Sequence, residues 1–443
     1  MARGTDDFGT DDRPAALLRL ATAGSVDDGK STLVGRLLYE TKSVLADQLD
    51  AVRRASVDRG LATPDLSLLV DGLRSEREQG ITIDVAHRYF ATPKRSFVLA
   101  DTPGHVQYTR NTVTGASTAQ LAVVLVDARS GVVEQTRRHA AVLALLGVPR
   151  LVLAVNKIDL VDYAEPAFTL IAEEFGAYAK ALGYDGGDVT SVPVSALCGD
   201  NVVERSARTP WYEGPTLLEE LETAPVVPEA YDAPFRFPVQ HVIRPRTPEY
   251  PDYRGYAGQV ASGSVAVGDK VLVLPAGLRT TVEGVDTADG PLAAATAGRS
   301  LTLLLSDAID VSRGDMIVAA DEPPVLTDEL DAALCWLAET PLRPGMRVLV
   351  KHGTRTVNGQ VTEVTSRFSE QTLTTTAAPG ELRLNEIGQV LLRVAQPLPV
   401  DAYRANRRTG SFLVIDPADG TTLAAGLVGT PLFAAVPPVI SAR

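Results

Sequence analysis

The stretch Gly24-Ser25-Val26-Asp27-Asp28-Gly29-Lys30-Ser31 has the pattern G-x-x-x-x-G-K-[ST]. The apolar-leaning residues 18–23 precede it, and the helix-like residues 32–38 follow it. A strand, a glycine-rich turn and the start of a helix are the context in which this pattern forms a phosphate-binding loop. The glycines let successive backbone N–H groups point at phosphate oxygens, with the positive end of the helix behind them. The stretch therefore predicts an α/β domain that binds a nucleotide.

The side chains of this loop and of a later turn have the chemistry that a triphosphate and Mg²⁺ need. We expect Lys30 to reach the β- and γ-phosphates and the Ser31 hydroxyl to bind Mg²⁺. The buried strand 97–100 ends at Asp101, a carboxylate suited to anchoring the hydration shell of Mg²⁺ through water, and Gly104 could bring its N–H close to the γ-phosphate. The predicted phosphate-binding residues are Gly24, Ser25, Val26, Asp27, Asp28, Gly29, Lys30, Ser31, Thr32 and Gly104.

A second motif predicts which base is bound. The apolar strand 151–155 runs directly into Asn156-Lys157-Ile158-Asp159. The N1–H and exocyclic amine of guanine are adjacent donors that one ionised carboxylate can accept together, and adenine lacks this pair. We therefore expect Asp159 to select guanine, Lys157 to cover the ring, and Asn156 to tie this loop to the phosphate loop, which argues against an ATPase. The backbone of Ser195, Ala196 and Leu197 is expected to bind the guanine O6.

Composition limits the remaining possibilities. A chain of 443 residues is too long for one hydrophobic core, so two or three domains are expected. The net charge of −13 disfavours sequence-independent nucleic-acid binding, which requires Lys and Arg to neutralise phosphates. The two cysteines, Cys198 and Cys335, are far apart, so a disulfide framework is not expected and a reducing cytoplasm is the predicted compartment. We see no signal peptide and no membrane span.

The pattern of the chain changes after its middle. The apolar runs 121–127 and 151–155 are typical of strands in a parallel sheet, with a helix over 135–146 between them. After a proline-rich stretch, short apolar runs alternate with glycine and aspartate turns, which predicts β-barrels. The isolated His241 and His352 are interpreted as structural histidines.

The motifs together resemble those of translational GTPases of the elongation-factor type. Within that group, the chain is most similar to the large, GTP-hydrolysing subunits of bacterial sulfate adenylyltransferase. The resemblance covers nearly the whole chain from Leu18 onward and is carried by the nucleotide motifs and by distinguishing stretches. The nucleotide motifs are 24–31, 80–84, 101–105, 156–159 and 195–197, and the distinguishing stretches include 71–73, 76–84, 108–111, 211–219 and 254–258. Elongation factors usually carry His or Lys where this chain has Asp28.

The resemblance implies an α/β P-loop GTPase domain with a mostly parallel sheet, followed by two β-barrels. The expected segments are an N-terminal tail over 1–14, a GTP-binding domain over 15–225, a linker over 226–238, and barrels over 239–327 and 328–443. The cofactors implied are GTP and Mg²⁺. The implied partner is a small subunit that forms adenosine 5′-phosphosulfate and pyrophosphate from ATP and sulfate, in a heterodimer or a larger assembly. With no second phosphate loop before Arg443, a fused adenylylsulfate kinase activity is expected to be absent.

The resemblance also implies residue roles in catalysis. His105 is expected to position the attacking water, with Val26 and Ile81 as an apolar gate beside it. Thr82 is expected to close over Mg²⁺ opposite Ser31 when the γ-phosphate is present. No residue is identified as a built-in arginine finger, so slow turnover in isolation is expected. An elongation-factor-type GTPase that binds RNA remains the alternative, which the acidic charge and the distinguishing stretches disfavour.

Overall fold

The computed structural model describes residues 17–58, 60, 64–70, 85–105, 109–225, 233–245, 247–248 and 252–429. The chain divides into two compact units, Met1–Val227 and Pro228–Arg443. Over the described residues, no helix is long and apolar enough to cross a membrane. The expected N-terminal tail and the predicted Ile81 and Thr82 lie outside the described residues.

The first unit is built on a six-stranded sheet whose order is β2-β3-β1-β4-β5-β6. All neighbouring pairs are parallel except β2 and β3. The strands are β1 (Leu17–Gly24), β2 (Ala86–Ala91), β3 (Ser96–Asp101), β4 (Leu121–Asp127), β5 (Leu151–Asn156) and β6 (Val189–Pro193). Every residue of β4 and β5 is buried, as expected for central strands covered on both faces. The α/β prediction is confirmed.

The helices of this unit follow the apolar periodicity of the sequence. They are α1 (Lys30–Glu40), α2 (Ala46–Asp58), α3 (Thr109–Ala116), α4 (Glu134–Leu145), α5 (Glu165–Ala181) and α6 (Leu217–Thr223), with short 3₁₀ helices at Leu66–Leu69 and Ile158–Val161. α6 begins with a capping box, in which Thr216 accepts from the Glu219 N–H and the Glu219 carboxylate accepts from the Thr216 N–H. Leu33 and Leu37 of α1 pack into the same core as Leu20 and Leu99 of the sheet. This core holds the carboxyl ends of β1, β3 and β5 beside the start of α1.

The second unit contains two closed barrels, as predicted. In the first barrel the order β10-β15-β7-β8-β14-β11 is closed by pairing of β10 with β11. Its strands, with the additional β9, β12 and β13, are β7 (Arg236–Ile243), β8 (Gly255–Gln259), β9 (Ser264–Ala266), β10 (Lys270–Leu274), β11 (Leu278–Thr287), β12 (Gly290–Leu292), β13 (Ala294–Thr296), β14 (Ser300–Leu305) and β15 (Met316–Ala319). Closure leaves the six barrel strands without a free edge.

The second barrel has the order β17-β21-β22-β16-β20-β18 and is closed by pairing of β17 with β18. Its strands, with β19 at the edge, are β16 (Val325–Trp336), β17 (Arg347–His352), β18 (Arg355–Ser369), β19 (Thr374–Ala377), β20 (Ile387–Val400), β21 (Ser411–Ile415) and β22 (Thr422–Val428). Three strands of this barrel are longer than the short apolar runs that predicted them, since β16, β18 and β20 have 12, 15 and 14 residues. Register shifts in their pairings let one long strand bend around the barrel, which interrupts the simple alternation of the sequence.

Two strands cross the boundaries that the sequence predicted between segments. β7 begins at Arg236, inside the stretch expected to be a linker, and β16 spans the expected limit between residues 327 and 328. Arg236 is buried and binds the Asp401 carboxylate through two N–H groups, at 2.9 and 3.0 Å. β7 pairs with β8 and β15, which both lie later in the chain, so the proline-rich stretch before it gave no local sign of where the strand begins. The division into segments otherwise stays a prediction.

The two histidines of this unit differ from each other. His352 is buried and its Nε2 lies 2.7 Å from the Thr409 carbonyl oxygen, so the structural interpretation is right. Burial lowers the pKa of His352, although the contact with Thr409 opposes this. His241 is exposed on β7, so its interpretation as a structural histidine stays a prediction.

Candidate functional site

The phosphate loop has the backbone shape that its glycines predict. Gly24 ends β1 with φ 152°, and Gly29, the residue before α1, has φ 90°, where a side chain would be strained. A Cβ on Gly24 would lie 2.8 Å from the carbonyl oxygen of Leu125, and one on Gly29 would lie 2.5 Å from the Asn156 amide nitrogen. The loop therefore passes between two strand ends with no room for side chains at these positions, and it leads into the N-terminus of α1.

Lys30 lies folded over the loop. Its ammonium group donates to the carbonyl oxygens of Gly24 at 3.0 Å and Ser25 at 2.7 Å. Burial lowers the pKa of Lys30, and the carboxylates of Asp101 and Asp28 partly oppose this shift. A cation held inside a ring of backbone groups is suited to contact phosphate oxygens.

Asp28 occupies the position where elongation factors usually have His or Lys. Its carboxylate is buried and accepts a 2.6 Å hydrogen bond from the Ser25 N–H. Burial raises the pKa of Asp28, opposed by Lys30 and by this hydrogen bond. Asp28 thus closes the phosphate loop on itself through a side chain.

The turn after β3 lies directly against the phosphate loop. Asp101 is fully buried at the end of β3 and accepts a 2.8 Å hydrogen bond from the Thr22 hydroxyl. A Cβ on Gly104 would overlap the Lys30 ammonium and would lie 2.6 Å from the Gly24 carbonyl oxygen. Gln135 of α4 donates to the Gly104 carbonyl at 3.2 Å. The structure thus brings Lys30, Asp101 and Gly104 together, and the half-buried His105 follows immediately.

The donor set near this turn fits Mg²⁺. Ser31 lies in the first turn of α1 and Asp101 at a strand end beside the loop, so the described donors are a hydroxyl and a carboxylate oxygen. Magnesium prefers such oxygen ligands and keeps several waters. No group of three or more His, Cys, Asp or Glu side chains suited to a metal occurs among the described residues, and the expected set does not need one. The third expected ligand, Thr82, lies outside the described residues.

The base loop is hydrogen-bonded directly to the phosphate loop. The amide of Asn156, buried at the end of β5, donates to the Asp28 carbonyl at 2.7 Å and accepts from the Ala196 N–H at 2.9 Å. Lys157 donates to the Asp27 carbonyl and lies 3.1 Å from the Asp127 carboxylate. These contacts join the phosphate loop, the base loop and the loop at Ser195–Leu197 directly to one another.

Asp159 has an acceptor available for a base. Its Oδ1 is buried and has no hydrogen-bond partner among the described residues. A buried carboxylate oxygen without a partner is costly, and a pair of guanine N–H donors would satisfy it. Lys157, beside it, has the left-handed φ of 60°, an unusual conformation for a lysine that is common at functional turns. The observed residues therefore fit a guanine base.

Two residues that support the nucleotide-binding loops were not predicted from the sequence. Arg36 of α1 donates to the carbonyl of Ala196 at 2.9 Å and to that of Leu197, which anchors the loop expected to read guanine O6. Asp127 ends β4, and hydrogen bonds from Arg129 hold the pKa of its carboxyl well below the usual range. A carboxylate at the carboxyl end of a buried parallel strand was a usable signal for Asp127. Arg36 carried no local signal, because its partners lie 160 residues away.

The fold and the site define a P-loop protein of the guanine-nucleotide-binding class. Residues 15–227 match the family described as "Elongation factor Tu GTP binding domain", and residues 329–429 match "GTP-eEF1A C-terminal domain-like". The chain is 50% identical over 432 residues to "Sulfate adenylyltransferase subunit 1" of Methylorubrum populi, covering 97% of this chain and 90% of that protein. It is 54% identical over 413 residues to "Bifunctional enzyme CysN/CysC" of Mycobacterium tuberculosis (strain ATCC 25618 / H37Rv), covering 93% of this chain and 67% of that protein.

A third relative, "Bifunctional enzyme NodQ" of Rhizobium meliloti (strain 1021), is 48% identical over 420 residues, covering 94% of this chain and 64% of that protein. The chain therefore spans about two thirds of the length of these bifunctional relatives. It belongs to the family of sulfate adenylyltransferase subunit 1, translational-GTPase-like proteins of sulfate assimilation.

Proposed function

We propose that this chain is the GTP-hydrolysing subunit of a sulfate adenylyltransferase. In this proposal, GTP hydrolysis drives the formation of adenosine 5′-phosphosulfate and pyrophosphate from ATP and sulfate by a small partner subunit. The guanine-nucleotide part of the proposal rests on the hydrogen bond from the Asn156 amide to the Asp28 carbonyl. This bond joins the base loop to the phosphate loop, although the two residues are 128 positions apart in the sequence. The sulfate part rests on family membership. A cytoplasmic location stays a prediction.

The phosphate loop would bind the triphosphate through its backbone N–H groups and the Lys30 ammonium. Lys30 is now bound to two carbonyl oxygens, so it would exchange these neutral acceptors for charged phosphate oxygens, which form stronger hydrogen bonds. Asp159 would accept from the guanine base, and Lys157 would lie along its ring. This arrangement positions the reacting group, which is the main requirement of phosphoryl transfer.

The proposed ligands of Mg²⁺ are the hydroxyls of Ser31 and Thr82, with Asp101 acting through water. When bound, Mg²⁺ would neutralise charge on the β- and γ-phosphates. The hydrogen bond from Thr22 orients the Asp101 carboxylate for this role, since it occupies one of the two oxygens.

His105 is the proposed water-positioning residue, with Val26 and Ile81 restraining it. Its place directly after Gly104, which touches the phosphate loop, supports this role. His105→Ala is expected to keep GTP binding and to lose most turnover, measured as phosphate release at saturating GTP. The exposed His241→Ala is the matched control. Undiminished turnover in His105→Ala would remove the role.

Hydrolysis by the isolated chain is expected to be slow, because no arginine finger is identified. Docking of the small subunit with its substrates would order the segments around the γ-phosphate. Comparing single-turnover GTP hydrolysis with and without the partner tests this directly, and equal rates would refute it.

The alternative function is an elongation-factor-type translational GTPase that binds RNA, which shares all the nucleotide motifs. The net charge of −13 favours the adenylyltransferase subunit. The deciding experiment co-purifies the tagged chain and then assays GTP-dependent synthesis of adenylylsulfate. Recovery of a small adenylyltransferase subunit with GTP-stimulated synthesis supports the proposal, whereas recovery of tRNA or ribosomes without synthesis would refute it.

A further inference from the structure

The loop that contains Asp159 is closed by Tyr163. The Tyr163 N–H donates to the Ile158 carbonyl at 2.9 Å, and the Tyr163 carbonyl accepts from the Trp211 indole N–H at 3.0 Å. Asp162 and Tyr163 both have the left-handed φ of 54°. Two successive residues in this conformation are costly unless surrounding contacts hold them. The exit of the base loop is therefore held by residues far along the chain.

The second base loop is closed by Asp200. The Ser195 N–H donates to the Asp200 carbonyl at 3.1 Å, so Ala196 and Leu197 lie in the loop between them. The Asp200 side chain meanwhile accepts from the Tyr163 hydroxyl at 2.9 Å and from the Ser206 hydroxyl at 2.6 Å. One residue thus closes one loop through its backbone and binds the other loop through its carboxylate.

Arg208 completes this contact. Its guanidinium donates to the Tyr163 hydroxyl at 2.6 Å, lies 3.7 Å from the Asp200 carboxylate, and stands 5.4 Å from the centre of the Tyr163 ring. Burial raises the pKa of Tyr163 to about 12, with the Arg208 hydrogen bond opposing this shift and Asp200 adding to it. The hydroxyl therefore keeps its proton for Asp200 at neutral pH. The three side chains form a closed polar triad between the two loops.

We propose that Tyr163, Asp200 and Arg208 are positioning residues for guanine recognition, which hold the Asp159 loop at a set distance from the Ser195–Leu197 loop. They act through Asp159 and the Ala196 backbone and do not contact the nucleotide. The inference rests on the proposed binding of GTP at this site. A base read from two sides is discriminated only while the two loops keep their separation, so the triad determines specificity for the base more than affinity for the phosphates.

The test compares affinity for GTP with that for inosine triphosphate, which lacks the exocyclic amine that Asp159 would accept. Tyr163→Phe removes only the hydroxyl, and Arg208→Ala changes a side chain that is 60% exposed, so both are expected to fold. Each is expected to weaken GTP binding about fivefold, the size of one lost hydrogen bond, and to weaken inosine triphosphate binding less, because that base keeps N1–H and O6 but lacks the amine. Tyr184→Phe is the matched control, because its hydroxyl donates to the Val148 carbonyl away from both loops.

A double-mutant cycle separates positioning from general stability. In the Asp159→Ala background, Tyr163→Phe is expected to weaken GTP binding by less than about twofold, because only the Ala196 backbone contact is then left to position. A fivefold loss in that background, or an unchanged GTP-to-inosine-triphosphate preference in Tyr163→Phe, would overturn the inference. A wild-type chain without any preference for GTP would instead refute the proposed function on which the inference rests.

Discussion

Replacing Asn156 with alanine is expected to uncouple the two halves of the nucleotide site. The side-chain amide makes two buried hydrogen bonds, donating to the Asp28 carbonyl at 2.7 Å and accepting from the Ala196 N–H at 2.9 Å. Truncation leaves both backbone groups without these partners in a site where Asn156 itself is only 2% exposed. The phosphate loop and the Ala196 loop then lose the side chain that joins them.

The expected size follows from the two bonds. A buried polar group left unsatisfied costs about 1–3 kcal/mol, so the two groups exposed by Asn156→Ala should lower the free energy of unfolding by about 2–6 kcal/mol. Because GTP must re-form the loop arrangement on binding, we expect its dissociation constant to rise at least about 100-fold, which corresponds to about 2.7 kcal/mol. Urea unfolding gives the first quantity, and titration calorimetry with GTP gives the second.

Gln120→Ala is the control for this prediction. Gln120 is also buried and accepts from the Arg19 N–H at 3.1 Å, at the amino end of β4, away from the nucleotide site. This variant should lose stability but keep GTP affinity within about a factor of three. An Asn156→Ala chain whose affinity for GTP is as little changed as that of Gln120→Ala would refute the reasoning.

Three further predictions concern close packing and buried charge. Gly104→Ala places a Cβ on the Lys30 ammonium and 2.6 Å from the Gly24 carbonyl oxygen, so GTP hydrolysis and GTP affinity should both fall by at least about tenfold. The overpacking should also lower the free energy of unfolding by about 1–3 kcal/mol. Burial lowers the pKa of His139 to about 3, whereas the unfolded chain protonates it near pH 6.5; the unfolded state therefore binds more protons below that pH. Between pH 7 and pH 5 the free energy of unfolding of the wild type should therefore fall by about 2 kcal/mol, and that of His139→Gln should not. The same dependence of unfolding free energy on pH in both proteins would contradict this. Arg236→Ala leaves the Asp401 carboxylate without its bidentate partner, so it should destabilise the second unit by about 3–5 kcal/mol and leave GTP affinity unchanged. A stability loss below about 1 kcal/mol would show that the pair is solvated.

Much of the first unit could be predicted because its signals are local. The glycine pattern at 24–31, the apolar runs of β4 and β5, and the polar residues that follow strand ends each occupy a short window of sequence. Parallel strands place their carboxyl ends at one edge, so Lys30, Asp101 and Asn156 could be assigned to one site before their distances were known. The barrel strands were harder to delimit, since bulges in β16, β18 and β20 break the alternation on which such predictions depend.

The sequence by itself determined the class of the site, because phosphate and guanine chemistry require particular residue types at particular spacings. Only the tertiary structure decided what holds those residues in place. Arg36 binds a loop 160 residues away, Arg236 pairs with a carboxylate 165 residues away, and Tyr163 meets Asp200 across 37 residues. Such partners leave no periodicity or motif behind, because a hydrogen bond depends on where the backbone brings two groups and not on their separation along the chain.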